Sequence, residues 1–392
     1  MTLSLLAVAE PSGMWANLIN WVHSWVGGGY GWTILVLIIL LKLVLSPLDY
    51  LIKHSSKKTA LVQQKLAPQM AKLQKKYGDN RQMIQTQQQA LYKREGYNVW
   101  GSCVVMLINL VLTMVIFFTL FSGLRSLSSY QAINQYDALH NTYRTSVETS
   151  YGSKEAYEEK AAFVVSTEEG KGYDNLSSED KAKWDEAQAA AKAAVSAKWG
   201  DVADSWLWVK NVWVIDGHAA PLPAFKDMQS MANTSKNQEY IAYVNNIANN
   251  KVYLQEYNNI AGAVEAQTSS WNGYYLLAII SVLLSVASQV VNDMANKNKN
   301  KKSQAIVDQA NPQGKSMWFM KLLIPVMMAI FVLTTNAAFG IYVVTNSIMS
   351  TLIGLLTNLI VNAVFKKKQE EVNEALAKEA NRLERKFNKG AK

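Results

Sequence analysis

The sequence is poor in the residues that build most catalytic and redox sites. Its 392 residues include one cysteine, Cys103, so no intrachain disulfide and no multi-thiolate metal site can form. The four histidines, His23, His54, His140 and His218, show no ligand or triad spacing. There is no phosphate-cradling glycine loop and no dinucleotide glycine pattern. These absences argue against covalent catalysis, nucleotide hydrolysis and a bound cofactor. Basic residues are missing from the start of the chain, where none precedes Lys42. The expectation is therefore neither a secretory signal, although Ala7-Val8-Ala9 mimics a cleavage site, nor an Arg-rich transit peptide.

What is present is strongly segregated. Eighteen per cent charged residues and a net charge of +9 would suit a soluble protein, yet long apolar runs alternate with runs crowded with Lys, Glu, Gln and Asn. Five runs reach or approach the roughly 18 apolar residues that a membrane-spanning helix needs. They predict spans at 31–53, 99–122, 273–293, 317–335 and 338–365. The expected fold is an all-α integral membrane protein with five transmembrane helices around a polar groove.

The loops orient these spans. Residues 54–98, with the flanking Lys53, carry Lys57, Lys58, Lys65, Lys72, Lys75, Lys76, Arg81, Lys93 and Arg94 against Asp79 and Glu95. The loop 294–316 carries Lys297, Lys299, Lys301, Lys302 and Lys315, and the tail 366–392 begins Lys366-Lys367-Lys368. Basic loops stay in the cytoplasm, so the N-terminus lies outside and the C-terminus inside, in a bacterial plasma membrane. The positive charge is thus a topology signal and points to no DNA partner. In the external segment 1–30, residues 14–26 space Trp15, Leu18, Ile19, Val22 and Trp25 as an interfacial amphipathic helix.

Residues 54–98 read as a cytoplasmic helical hairpin, broken at Tyr77-Gly78-Asp79-Asn80, with Gly78 as C-cap and Asp79 as the next N-cap. Residues 123–272 form a long, net acidic, extracytoplasmic helical insertion. In it Ser177 and Asp180 make a capping box that opens an exposed helix to about residue 198. The aromatic stretch from Trp206 through Trp213 suits the outer membrane–water boundary, Pro221 and Pro223 end it, and a further helix is expected over 235–266.

Lys42 is the residue that needs a reason, because a charge at mid-span costs about 2.5–3.5 kcal/mol even on insertion scales. Ser46 and Asp49 follow on the same helical face. Other spans offer neutral polar faces: Ser102, Asn109 and Thr113; Ser281, Ser285, Ser288 and Gln289; Asn346, Ser350, Thr357 and Asn358. The candidate groove comprises Lys42, Ser46, Asn109, Thr113, Ser285, Gln289, Asn346 and Ser350. The bland alternatives are helix packing for each Ser or Thr and snorkelling for Lys42. No Asp or Glu lies deep in a span, which argues against an ion-coupled transporter, though a small-solute channel or transporter stays open, as does a structural scaffold. The polybasic tail suits anchoring to anionic lipids, with a ribosome contact as the sharper alternative.

Several motifs, in this order, resemble the YidC/Oxa/Alb family of membrane protein insertases. They are Gly31-Trp32-Thr33 with Lys42-Leu-Val-Leu-Ser-Pro47-Leu48, the hairpin segments Lys65-Leu66-Ala67-Pro68 and Leu73 through Asp79, Ala90-Leu91-Tyr92-Lys93, Asn98 through Cys103, Trp206 through Asn211, and Pro325, Tyr342 and Asn346. Lys42 stands where the family usually has Arg, and Asn109 where a Gln is common. The resemblance implies five spans around a hydrophilic groove that is open to cytoplasm and lipid and closed outside. It implies that Lys42 attracts an acidic segment of a nascent membrane protein that the hairpin has caught. It leaves a ribosome contact and cooperation with a Sec translocon open, and the insertion 130–200 has no counterpart in it.

Overall fold

The computed structural model describes residues 10–78, 80–95, 99–216, 222–223, 225–233, 238–265, 275–296 and 318–390. Among them every regular element is helical. Helices α1 (Met14–Val26), α2 (Tyr30–Tyr77), α3 (Arg81–Arg94) and α4 (Val99–Tyr151) are followed by α5 (Lys154–Val164) and α6 (Ser178–Val202). Then come α7 (Phe225–Asn233), α8 (Gln238–Asn249), α9 (Lys251–Glu265), α10 (Leu276–Asn296), α11 (Trp318–Thr334), α12 (Ala337–Val364) and α13 (Lys366–Gly390). Three of these helices, α2, α4 and α12, are long and apolar enough to cross a membrane, and α10 and α11 contain shorter apolar stretches.

The apolar runs do not end where their helices end. At 1.5 Å per residue α2, with 48 residues, is about 70 Å long, more than twice the hydrocarbon thickness of a bilayer. No helix end falls at residue 53, where the first expected span stops. The charged run beyond it is simply the same helix leaving the apolar run. Helix α4 likewise runs through residue 122 to Tyr151. The loop 294–316 and its lysines lie mostly outside the described residues, as do Asp79, Asn98, His218 and Pro221.

Two compact units divide these helices: one of Met1–Leu37, Thr119–Ile279 and Ile330–Val343, the other of Ile38–Phe118, Ile280–Ala329 and Val344–Lys392. The first unit has a dense aromatic core. Ile133, Tyr136, Tyr143 and Val147, at helical spacing on α4, are buried with Tyr157, Trp184, Tyr240, Tyr243 and Tyr257. Helix α9 is its hub, packed by α5, α6, α7 and α8. Ser177 caps α6 by accepting from the Asp180 amide. That helix is exposed on one face only, since Trp184, Ala187, Gln188, Ala191, Val195 and Trp199 are buried. The single helix expected over 235–266 is two, α8 and α9. Asn250 causes the break: its side-chain oxygen accepts from the amides of Val252 (3.0 Å) and Tyr253 (3.3 Å) and starts α9 afresh.

Inside this core lies a buried charge. Glu256 is 1% exposed, with His140 Nε2 at 2.7 Å, Arg144 Nε at 3.0 Å and the Tyr157 hydroxyl donating at 3.0 Å. Arg144 also pairs with Glu158 at 3.0 Å. A buried carboxylate is tolerable only with such partners, because each ion withdrawn from water costs several kcal/mol.

Among the described residues of the second unit, one buried cluster joins Leu61, Val361 and Phe365, flanked by Tyr50 and Val372. Here α13 returns to α2. The His54 ring lies 4.8 Å from that of Phe365, and Gln369 donates to Gln64 at 2.9 Å. The arms α2 and α3 are joined by a Lys65–Glu95 ion pair and by Arg94 donating to Gln69 at 2.8 Å. Gly78 takes φ +53°, the left-handed conformation that closes a helix, and α3 is capped one residue later than expected, by Asn80, which accepts from the Met83 amide.

Candidate functional site

All eight candidate groove residues fall in the second unit. Lys42, Ser46, Asn109, Ser285, Gln289, Asn346 and Ser350 are half-buried, and Thr113 is exposed. Each helix presents its residues four apart, hence on one face: Lys42 and Ser46 on α2, Asn109 and Thr113 on α4, Ser285 and Gln289 on α10, Asn346 and Ser350 on α12. No hydrogen bond joins any two of the eight among the described residues.

Among those residues no carboxylate lies within ion-pair distance of Lys42, and the charge acting on it is Asp49, about 10 Å farther along the same helix. Around this face the unit is apolar outward: Leu43, Val44, Leu107, Val111, Met114, Leu283 and Leu356 are exposed. Such a surface suits hydrocarbon, and the polar faces are the exceptions within it.

Ser46 has a local duty. Pro47 cannot donate to the Leu43 carbonyl four residues back, and the Ser46 hydroxyl donates to that carbonyl at 2.8 Å. Its proton is spent on mending the helix, which leaves its lone pairs for anything that enters. Thr357 is similarly turned to its own backbone, donating to Ile353 at 2.7 Å. Asn358 is buried with its side-chain nitrogen unpartnered.

Sequence reasoning saw residues 206–213 only as an aromatic patch. The structure makes 204–216 a strap across the starts of several helices, all within the first unit. Asp204 accepts from the Tyr30 amide at the start of α2 (3.0 Å) and from the Trp213 indole (2.7 Å). Val212 and Val214 carbonyls accept from Ala338 (2.8 Å) and Ala337 (2.7 Å) at the start of α12. The Asp216 carboxylate accepts from the Leu277 amide at the start of α10. Ser128 of α4 donates to the Trp213 carbonyl at 2.6 Å, and buried Asn211 exchanges amide hydrogen bonds with Gln135. Gly31 makes room for this: a Cβ there would stand 2.4 Å from Trp206. The strap pivots on Leu207, whose φ of +52° is uncommon for a side chain of that size. An alternation of Asp and Asn with Trp was the available signal, but which helix each would cap is a matter of tertiary contact.

Burial raises the carboxyls of Asp204 and Asp216 above the ordinary range, Asp216 to about 6.

The model of the family described as 60Kd inner membrane protein matches residues 21–155, a stretch holding Lys42, Ser46, Asn109 and Thr113. Over that stretch the chain is similar to the YidC/Oxa1 family. Among curated proteins it is similar to "Membrane protein insertase YidC" of Stenotrophomonas maltophilia (strain K279a), 39% identical over 118 residues. The similarity to the protein of the same name from Xanthomonas oryzae pv. oryzae (strain PXO99A) is 35% over 120 residues, and to that from Bordetella avium (strain 197N) 29% over 119. These matches cover 30% of this chain and about a fifth of each YidC relative. No solved structure matches the chain. The matched stretch thus contains α2, α3 and the whole of α4. The helices carrying Ser285, Gln289, Asn346 and Ser350 lie beyond it.

Proposed function

We propose that this protein is a membrane protein insertase, which receives nascent membrane proteins from the cytoplasm and releases their apolar helices sideways into lipid. The observation that carries the reading is Lys42: a basic side chain with no ion-pair partner among the described residues, in the apolar run of α2 and inside the stretch that matches the family. On this reading α2, α4, α10, α11 and α12 are five spans of a bacterial plasma membrane, with the N-terminus outside and the C-terminus inside. Asn109, Thr113, Ser285, Gln289, Asn346 and Ser350 join Lys42 and Ser46 in lining a polar groove.

The physics is a lowered barrier rather than a reaction. An unpaired polar group in hydrocarbon costs several kcal/mol, and half-buried hydroxyls and amides with unspent hydrogen-bonding capacity offset part of that cost for a crossing segment. Lys42 holds an acidic segment transiently. Burial of the substrate's own helix in lipid then provides the drive, about 25 cal/mol per Å² of apolar surface. The hairpin of α2 and α3 is the first contact for the substrate. The basic helix α13 meets anionic lipid or the ribosome, and a Sec translocon is a candidate partner.

The test is reconstitution into vesicles with a single-span substrate bearing an acidic outer tail. Lys42→Ala lowers its insertion about tenfold, equivalent to about 1.4 kcal/mol on the crossing barrier, while Lys42→Arg keeps it. Equal insertion by the alanine variant removes the groove charge from the mechanism. A solute flux through the native chain that exceeds that of empty vesicles favours the channel reading.

A further inference from the structure

Within the second unit, α2 meets the junction of α12 and α13. The chain passes from α12 into α13 with its helical bonding intact, since the Phe365 amide donates to the Val361 carbonyl at 3.0 Å and the Gln369 amide to that of Phe365 at 2.9 Å. Tyr50, His54, Lys57, Leu61 and Gln64 fall on one face of α2, at steps of three and four residues. Val361, Phe365, Lys368, Gln369 and Val372 share a face across the junction in the same way. The two faces touch: Leu61 packs with Val361 and Phe365, the His54 ring lies 4.8 Å from that of Phe365, and Gln369 donates to Gln64 at 2.9 Å. Lys57 is half-buried on this face, one turn from both His54 and Leu61, and the Lys368 ammonium stands 6.0 Å from the Phe365 ring. The contact thus draws Lys57 and Lys58 of α2 toward Lys366, Lys367 and Lys368 of α13. Asp49 lies two turns before Lys57, and Glu370 and Glu371 are exposed on α13, yet among the described residues no acid is within ion-pair distance of these five lysines. Like charges gathered from two helices repel, so the arrangement is favourable only when an anion joins it.

We propose that the facing lysines of α2 and α13 form a binding site for an anionic phospholipid whose headgroup holds two phosphates joined through glycerol. Lys57 and Lys58 take one phosphate and Lys366 to Lys368 the other. The site rests on the insertase reading above, in which this end of the apolar runs meets the cytoplasmic leaflet, and it names the lipid and its seat. Two phosphates match because the lysines come in two groups on separate helices, and each ammonium donates up to three hydrogen bonds to phosphate oxygens. Apolar surface for the acyl chains is adjacent: Leu51, Leu359, Ile360 and Val364 are exposed, within two turns of the lysines along their own helices. RNA is the poorer match, because the ring at the centre of the cluster, Phe365, is buried against His54 and presents no face for a base to stack on. Bound lipid cancels the repulsion between the two faces and holds α13 on α2. Without it the lysines push the faces apart and the Gln64–Gln369 contact opens.

The experiment measures lipid binding to the full-length chain by native mass spectrometry, with diphosphatidylglycerol, phosphatidylglycerol and phosphatidylcholine as probes. Diphosphatidylglycerol binds most tightly and phosphatidylcholine least. Lys57→Gln/Lys368→Gln lowers the affinity for diphosphatidylglycerol about 25-fold, roughly fivefold for each ammonium lost beside a phosphate, and Lys57→Arg/Lys368→Arg keeps it. Lys75→Gln/Lys76→Gln removes the same charge from two exposed lysines about 27 Å farther along α2 and changes the affinity less than twofold. A second measurement follows the contact itself. In a Cys103→Ser background, Gln64→Cys/Gln369→Cys forms its disulfide faster in vesicles containing diphosphatidylglycerol than in phosphatidylcholine alone. Equal losses from the two glutamine pairs, or equal cross-linking in the two kinds of vesicle, overturn the site. So does a short single-stranded RNA that binds the native chain and is not displaced by the lipid. Insertion of a single-span test protein is followed in the same vesicles. A native chain that binds the lipid and inserts nothing refutes the insertase reading and leaves the site standing. Normal insertion with an affinity unmoved by Lys57→Gln/Lys368→Gln does the reverse.

Discussion

The two units of this protein solve opposite problems with the same helices. The first is packed like a soluble protein: tyrosines and tryptophans fill its core, and Glu256, Asn211 and Ser128 all have partners. The second has apolar side chains facing outward, and its eight candidate groove residues make no hydrogen bonds to one another among the described residues. There the proposed function needs a surface that lipid, water and a passing segment can all touch. The difference teaches that the rigid part of the molecule and the part with unspent polar capacity are separate along each long helix. On α2, Gly31 serves the first and Lys42 the second, only eleven residues apart.

Substitutions sharpen this contrast in order of expected effect. Glu256→Ala leaves Arg144 and His140 buried without their carboxylate and costs about 3–5 kcal/mol, because breaking one side of a buried pair strands the other. Thermal unfolding followed by tryptophan emission measures it, and a loss under 1 kcal/mol would show that this core is looser than its packing suggests. Gly31→Ala drives a methyl into Trp206 and costs about 1–3 kcal/mol, read from the same melt. In the second unit Ser46→Ala removes the donor that mends the gap at Pro47 and costs about 1 kcal/mol, visible as faster amide exchange around Leu43. A cost as large as that of Gly31→Ala would erase the distinction between the units.

The smallest effect is the response to pH. Burial raises the carboxyls of Asp137 and Asp204 and brings Asp216 to about 6, so the folded first unit holds protons that the unfolded chain has released. The stability this contributes is present below about pH 4, the unfolded carboxyl value, and is lost as pH rises through about 6. Acidifying from pH 7 to 5 therefore raises the melting temperature of the first unit by a few degrees, on the order of 2–4 °C per kcal/mol. A melting temperature that falls over this interval contradicts the assignment of these three groups.

Much of the architecture was legible in advance because it depends on local chemistry. The helix over 14–26, the cap at Ser177, the break after Tyr77 and the apolar runs of α2, α4 and α12 all follow from periodicity, capping residues and run length. The exact ends were less legible. Asn80 rather than Asp79 caps α3, and Asn250 splits one expected helix into two, since several neighbouring Asx residues can each supply the same side-chain oxygen. Of the candidate site, the residue types and their four-residue spacing were readable, as was the cation at Lys42. That Ser46 gives its proton to Leu43 follows from Pro47 and could have been read too.

By itself the sequence determined which segments are strongly apolar and where Lys42 sits among them, because hydropathy and helical period are properties of consecutive residues. Only the tertiary structure decided that Asp204, Val212, Val214 and Asp216 meet the starts of three helices far apart in the chain. Nothing local dictates those pairings. They exist because amides left free at a helix start must find acceptors, and folding brings one strap within reach of all three.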